Sequence, residues 1–273
     1  VRNRVPDTFA GNYPIETRKG EIERLEMQAD AVASEAGALL DRIGVAAGWR
    51  CLDLGCGARG ITDLLSERVG STGRVIGIDK NEQFLAHARA HAGANVEFHR
   101  GNAYATGLPA GAFDLVHMRF VAATAGEPEV LLREAVRLAR PGGVVVLQEP
   151  DADTLDCYPP HPAWDRLKTA MLGAFAGVGA DVFLARRLHT LMAQAGLADI
   201  HYRPFVLGLR GDDPMADHLP ATVESLRGTI LTLGLLSEAE IPGLLARCRA
   251  HIRDPGTVVR SFMVAQVWGR KKL

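Results

Sequence analysis

Arg50-Cys51-Leu52-Asp53-Leu54-Gly55-Cys56-Gly57-Ala58-Arg59-Gly60 is the stretch that decides how the rest of the chain is read. Cys51 to Leu54 is a short apolar run of the kind that forms a buried strand. Gly55, Gly57 and Gly60 follow in G-x-G-x-x-G spacing, and Ile61-Thr62-Asp63-Leu64-Leu65 opens a helical pattern. Glycine has no Cβ and tolerates positive φ, so a strand running through glycines into a helix lets backbone come close to a ligand. The helix start behind it offers unpaired N–H groups. The spacing alone is a weak signal, because an ordinary strand–turn–helix joint has the same form.

Outward from this turn, strand and helix alternate. Strands are predicted at 50–54, 74–79, 95–100, 113–118 and 144–148, with helices at 60–69, 81–92 and 127–139 between them. Arg140-Pro141-Gly142-Gly143 reads as the turn before the fifth strand. Such alternation gives a doubly wound α/β sheet with ligands at the carboxyl ends of its strands. Ahead of it, residues 21–43 have helical spacing, with Gly37 as a possible break and Gly44 as the end. After residue 150 the rhythm changes to a proline-rich loop (151–162) and helices at 163–176, 181–195, 214–236 and 238–251. Strands are expected at 200–209 and 257–268.

Composition excludes several classes. With 273 residues, 47% hydrophobic, 23% charged and a net charge of −1, the chain gives no electrostatic case for nucleic acid or an anionic membrane. No apolar run approaches the ~20 residues of a spanning helix, and the first residues lack a signal-peptide core. The four cysteines, at 51, 56, 157 and 248, have no C-x-x-C spacing and read as free thiols in a reducing compartment, so a cytoplasmic location is expected. His87 and His91 are spaced i, i+4 without a third ligand, so no metal site is expected. No G-x-S-x-G supports a hydrolase.

Asp53 separates this turn from a dinucleotide site. A carboxylate two residues before the first glycine repels a pyrophosphate and attracts an ammonium. Leu-Asp-Leu-Gly-Cys-Gly, with Gly77-Ile78-Asp79 and Arg140-Pro141-Gly142-Gly143 at these spacings, resembles the class I S-adenosylmethionine-dependent methyltransferases. The likeness covers residues 45–150 by motif and the whole chain by layout. It implies a mostly parallel seven-stranded, Rossmann-like sheet whose last strand inserts antiparallel, with an N-terminal helical lid (1–44) and a late helical insertion. The segments are then the lid, a cofactor core (45–150) and a remainder (151–273) carrying an acceptor cap at about 151–180 and 210–236, all in one structural domain.

The resemblance also assigns residues. Asp53, Gly55, Cys56 and Gly57 lie at the cofactor's methionine end. Asp79, followed by Lys80, meets the ribose diol, a reading the glycine turn favours over a helix N-cap, the other role its place allows. Gly101-Asn102-Ala103 meets the adenine, with the Asn102 oxygen in place of the commoner aspartate, unless that side chain forms an Asx-turn. Arg119 is a partner for the cofactor carboxylate or a surface arginine. His117 is expected to be packed. Glu149, Tyr13 and His161, with Tyr158, are candidates to orient or deprotonate an acceptor, and a solvated acidic loop is the other reading of Glu149 and Asp151. Asn12-Tyr13, the Glu-Arg-Leu helix and Val267-Trp268-Gly269-Arg270 resemble bacterial natural-product methyltransferases.

The implied reaction moves a methyl group from S-adenosylmethionine to an O, N or C nucleophile of a small molecule, leaving S-adenosylhomocysteine, in a monomer or homodimer. Two other classes stay open. One is a methyltransferase-like cyclase or binding module that transfers nothing. The other is a nicotinamide-dependent oxidoreductase, which Asp53 and the late antiparallel strand argue against.

Overall fold

The computed structural model describes residues 20–58 and 60–273. Two helices, α1 (Glu21–Ala31) and α2 (Ala33–Ile43), lead into β1 (Arg50–Leu54), α3 (Thr62–Val69), β2 (Arg74–Asp79), α4 (Glu82–Ala90), β3 (Val96–Arg100) and β4 (Phe113–Arg119). A short α5 (Ala122–Ala125), α6 (Pro128–Leu138) and the long β5 (Ala139–Asp151) complete this half. The rest comprises β6 (Asp156–Tyr158), α7 (Pro162–Gly177), α8 (Leu188–Gln194), β7 (Leu197–Phe205), β8 (Gly208–Leu209), α9 (His218–Ser225), α10 (Arg227–Thr232), α11 (Glu240–Ile252), β9 (Val258–Arg260) and β10 (Met263–Lys271).

Seven strands form one sheet in the order β3-β2-β1-β4-β5-β10-β7. β1 to β5 pair in parallel, and β10 runs antiparallel to both β5 and β7. The mostly parallel, doubly wound sheet expected from the alternation is therefore present, with its late antiparallel strand. Side chains alternate between the two faces of each strand. Leu52, Leu54, Val116 and Leu147 pack against Leu131 and Leu132 of α6 and Leu188 of α8. Cys51, Leu115, Val144 and Val146 pack against Leu39 and Leu40 of α2 and Leu65 of α3. Both faces are covered, as a parallel sheet requires. By the same alternation Asp53, His117 and Gln148 share the α2–α3 face, just beyond its apolar part.

Several boundaries differ from the sequence expectation. The first helix breaks at Val32 rather than Gly37, because its two pieces serve different surfaces: Leu25 and Gln28 of α1 border a cavity, while α2 packs on the sheet. The expected turn at 140–143 lies within β5 as an irregularity: Phe113 pairs with Ala139 and Leu115 already with Val144. The helix predicted over 214–236 is a 3-10 turn (Pro214–Asp217) followed by α9 and α10. Strand-like 200–209 and 257–268 each divide, so that β6, β9 and β8 form a separate three-stranded sheet.

This small sheet and helices α7 and α9–α11 enclose a second core. Trp164, Leu167 and Met171 of α7 meet Leu219 and Val223 of α9, Ile230 of α10, and Ile241 and Leu244 of α11. The unit covers the carboxyl end of the main sheet. Among the described residues no helix is long and apolar enough to cross a membrane.

Candidate functional site

The glycine turn is pinned to the next strand. Gly55 N–H and Cys56 N–H both donate to Ile78 O, at 2.7 and 3.0 Å. Gly55 has φ 70°, and a Cβ there would lie 2.4 Å from Val121 Cγ2, so both backbone and space demand glycine. At Gly60 space alone decides: a Cβ would sit 2.4 Å from Asp53 Oδ2 and 2.7 Å from Cys56 O. The turn wraps tightly around the Asp53 carboxylate.

Asp53 is buried and begins a polar row across the sheet. Its Oδ1 lies 2.7 Å from His117 Nδ1, and its Oδ2 accepts from Ile61 N–H at 3.4 Å. A carboxylate only accepts, so Nδ1 of His117 carries hydrogen and Nε2 accepts from the Gln148 amide nitrogen at 2.8 Å. Gln266 Nε2 donates to Gln148 Oε1 (3.0 Å), and Arg203 Nη1 donates to Gln266 Oε1 (2.7 Å). Arg203 ends on Glu35 of α2, with Nη2 2.6 Å from Oε2. His117 is thus packed, as expected, and it fixes the Asp53 carboxylate. The row reaches from the turn through β4, β5, β10 and β7 to α2.

Asp79 closes the turn from the other side. Its Oδ2 accepts from Gly57 N–H and its Oδ1 from Asn81 N–H, both at 2.9 Å. Burial raises its pKa against the lowering by these amides. The N-cap of α4 is Asn81, whose side chain accepts from Gln83 and Phe84 N–H. Asn102 spends its oxygen on Tyr104 N–H (2.9 Å), the Asx-turn alternative. Arg119 lies against the turn, with Nη2 donating to Gly60 O at 3.3 Å. Desolvation lowers its pKa, and nearby Asp53 opposes this.

A cavity of about 610 Å³ opens over these groups. Asp53, Gly55, Cys56, Gly57, Asp79, Lys80, Gly101, Asn102, Ala103 and Arg119 all line it, so one space collects every sequence candidate for cofactor contact. Its far wall comes from elsewhere: Arg24, Leu25 and Gln28 of α1, Phe120, Met171 and Phe175 of α7, His218 and Thr222 of α9, and Phe262. Arg24 and Leu25 belong to the Glu-Arg-Leu helix of the expected lid; none of the far-wall residues was named as a candidate for acceptor contact. The one available signal was His218 and Thr222 at i, i+4 in a helical stretch, which places them on one face without saying what that face meets.

The acceptor-side candidates within the described residues do not line the cavity. Glu149 is fully buried, and its two oxygens accept from Ala122 and Ala123 N–H at 3.0 and 3.1 Å, anchoring the start of α5 rather than lining the cavity. Asp151 is held by Arg186, with Oδ2 2.6 Å from Nε. His161 caps α7, its Nδ1 accepting from Ala163 N–H at 3.1 Å, and stacks on His251 away from the cavity. Tyr158 is exposed on β6. Tyr13 lies outside the described residues. His87 bonds Glu26 of α1 at 2.8 Å.

Burial pushes the Glu149 pKa from 4.5 to about 8, despite the amides that favour its ionised form. Between those values the folded chain binds more protons than the unfolded one. The stability tied to this group is therefore present below about pH 4.5 and lost as pH rises through about 8. In Glu149→Gln the decline of the thermal midpoint between about pH 5 and 9 should flatten, as followed by differential scanning calorimetry. An unchanged slope would assign the titration to another group.

Against known proteins, a family model described as a methyltransferase domain matches residues 52–147. Trans-aconitate 2-methyltransferase of Azoarcus sp. (strain BH72) is 34% identical over 230 residues, covering 82% of this chain and 85% of that protein. Demethylmenaquinone methyltransferase of Lactococcus lactis subsp. lactis (strain IL1403) is 38% identical over 123 residues, covering 44% of this chain and 49% of that one. The chain spans about half the length of this protein and of two other demethylmenaquinone methyltransferases it matches. A solved structure from Bacillus halodurans C-125, of a protein proposed to be a methyltransferase, aligns with a TM-score of 0.60 at 17% identity. The alignment covers 88% of this chain and 100% of that chain, a likeness of fold.

Proposed function

Because the chain belongs to the class I S-adenosylmethionine-dependent methyltransferase family, we propose that it transfers the methyl group of S-adenosylmethionine to an O, N or C nucleophile of a small molecule. The observation that carries this reading is the single cavity joining the glycine turn, Asp79 and Arg119 to a far wall of different chemistry. Its volume of about 610 Å³ favours a small acceptor over a macromolecule. The names of the relatives, for trans-aconitate and demethylmenaquinone, point the same way. A role in bacterial secondary metabolism rests on the sequence likeness alone. Four free cysteines support a reducing, cytoplasmic setting.

The residues present fit the cofactor. The turn at Gly55–Gly57 brings backbone to the cavity where side chains would obstruct it. Asp79 would hold the ribose diol with the remaining lone pairs of its carboxylate. Asp53 would face the ammonium and Arg119 the carboxylate of the methionine end. Gly101 and Ala103 would flank the adenine, with Asn102 contributing its amide nitrogen, since its oxygen is engaged by Tyr104. Lys80 and Cys56 would border the same group.

When bound, the cofactor supplies a methyl group already activated on a sulfonium. The chain's own residues then need chiefly to align donor and acceptor and to exclude water. In this reading residues 45–150 are the cofactor core, α1 and α2 are the described helices of the lid segment, with α1 bordering the cavity, and the cap formed by α7 and α9–α11 shapes the acceptor end.

Titration calorimetry with S-adenosylhomocysteine and NADH separately tests the reading: the first should bind and the second should not. The reverse result would replace it with an oxidoreductase. Labelled S-adenosylmethionine that binds without passing its methyl to any acceptor would favour a cyclase or binding module. Asp79→Ala should weaken S-adenosylhomocysteine by about 1–3 kcal/mol, the range for a lost buried polar contact. Unaltered affinity would remove Asp79 from the ribose.

A further inference from the structure

Beyond the glycine turn the cavity becomes apolar and aromatic. Phe120, Phe175 and Phe262 line this half with Leu155, Met171 and Val182. Phe120 meets Phe262 edge-on at 5.6 Å between ring centroids, and Phe262 in turn lies 5.2 Å from the His218 ring. Phe120 adopts φ 59°, a left-handed backbone rarely taken by a bulky residue, with its N–H donating to Gln148 O at 2.9 Å. Strain of this kind collects at ligand sites held by their surroundings.

Charge in this half is balanced. Among the described residues lining the cavity, the carboxylates are Asp53 and Asp79, both at the glycine turn. Arg24, the arginine of the apolar half, is gripped by Glu21 through two bonds of 2.9 and 2.6 Å. Among the described residues a cationic acceptor would find no carboxylate in this half, and an anionic one would meet an arginine already paired.

The other polar groups of this half include Gln28 of α1, and His218 and Thr222, one turn apart on α9. His218 is nine-tenths buried; its Nδ1 is sealed inside the protein with no hydrogen-bond partner among the described residues, and its Nε2 has a long contact of 3.5 Å with Thr222 Oγ1, beyond a good bond, which leaves Nε2 as the nitrogen to meet a ligand. Burial, assisted by Arg24, holds its pKa down to about 3, so the ring is neutral at ordinary pH. A buried neutral imidazole with unused hydrogen-bonding capacity beside a cavity is a recognition group waiting for a ligand.

We propose that this half of the cavity receives a neutral, flat aromatic acceptor bearing a hydroxyl group, which hydrogen-bonds His218 and Thr222 while its ring packs among Phe120, Phe175 and Phe262. The inference rests on the methyltransferase reading, since it names the acceptor of that same site.

The test is calorimetry on the whole chain saturated with S-adenosylhomocysteine, using three probes of one scaffold: 4-phenylphenol, 4-phenylbenzylammonium and 4-phenylbenzoate. The phenol should bind at least about ten times more tightly than either ion, because each ion must be desolvated without a partner. His218→Phe keeps an aromatic ring and removes the imidazole; it should weaken the phenol by about 10- to 100-fold and leave S-adenosylhomocysteine within about twofold. Thr222→Val should cost the phenol about 3- to 10-fold, and it decides the matter if the histidine variant does not fold. An ion that binds as well as the phenol, or a phenol affinity unmoved in the folded variants, overturns the assignment. Wild-type chain that binds S-adenosylhomocysteine but not the phenol overturns this inference alone. Failure to bind S-adenosylhomocysteine would overturn the methyltransferase reading instead.

Discussion

Gly60→Ala is expected to weaken S-adenosylhomocysteine binding by about 100-fold, the upper end of what overpacking a rigid site costs. The new methyl would lie 2.4 Å from Asp53 Oδ2 and 2.7 Å from Cys56 O. Neither neighbour has room to retreat. The carboxylate is fixed by His117 at 2.7 Å, and the Cys56 backbone is tied to β2 through the bonds from Gly55 and Cys56 to Ile78 O. Relief therefore requires the turn itself to open, which moves Gly57 away from Asp79 and dismantles the proposed methionine and ribose contacts together. Calorimetry on the folded variant reads the effect. Affinity within threefold of wild type would mean that the turn deforms freely and does not define the cofactor's place.

Trp164→Ala should lower stability by about 3–5 kcal/mol, a large share of the roughly 5–15 kcal/mol that a typical domain possesses. Trp164 is completely buried in α7, at the centre of the cap's core. Its Nε1 has no hydrogen-bond partner among the described residues, so truncation leaves none of their polar groups stranded. The loss is one of packing: the void is walled by helices from three other parts of the sequence and cannot collapse without moving them. Trp164→Phe keeps most of the ring and removes the unpaired N–H, and should cost much less. Urea denaturation of both variants separates the two; equal midpoints would show that the cap tolerates the cavity by rearranging.

The parts legible in the sequence were those encoded by local pattern. The turn from Leu54 to Gly60 declares itself through residue spacing, and the strand–helix alternation around it predicts which strand ends lie beside it. That is why the cofactor-side candidates all converge on one cavity. Glu149 was misplaced for a matching reason: its position at the end of β5 was readable, but the four-residue α5 that takes its carboxylate has no periodic signature. His218 and Thr222 were hidden because an i, i+4 pair acquires meaning only when the neighbour of its face is known. The polar row from Asp53 to Glu35 is likewise invisible in one dimension. Its members share a face by alternation, but joining Gln148 to Gln266 requires knowing that β10 lies beside β5.

That placement of β10 also sets an order of events for a chain emerging from the ribosome. β1 to β5 have all their parallel partners once residue 151 is made, while β7, at Leu197–Phe205, has no neighbour in the sheet until Met263–Lys271 follows. During that interval both β5 and β7 present open hydrogen-bonding edges, the feature that invites mispairing between nascent chains. A single late strand then pairs with β5 and β7 together, leaving the outer edge of β7 at this end of the sheet.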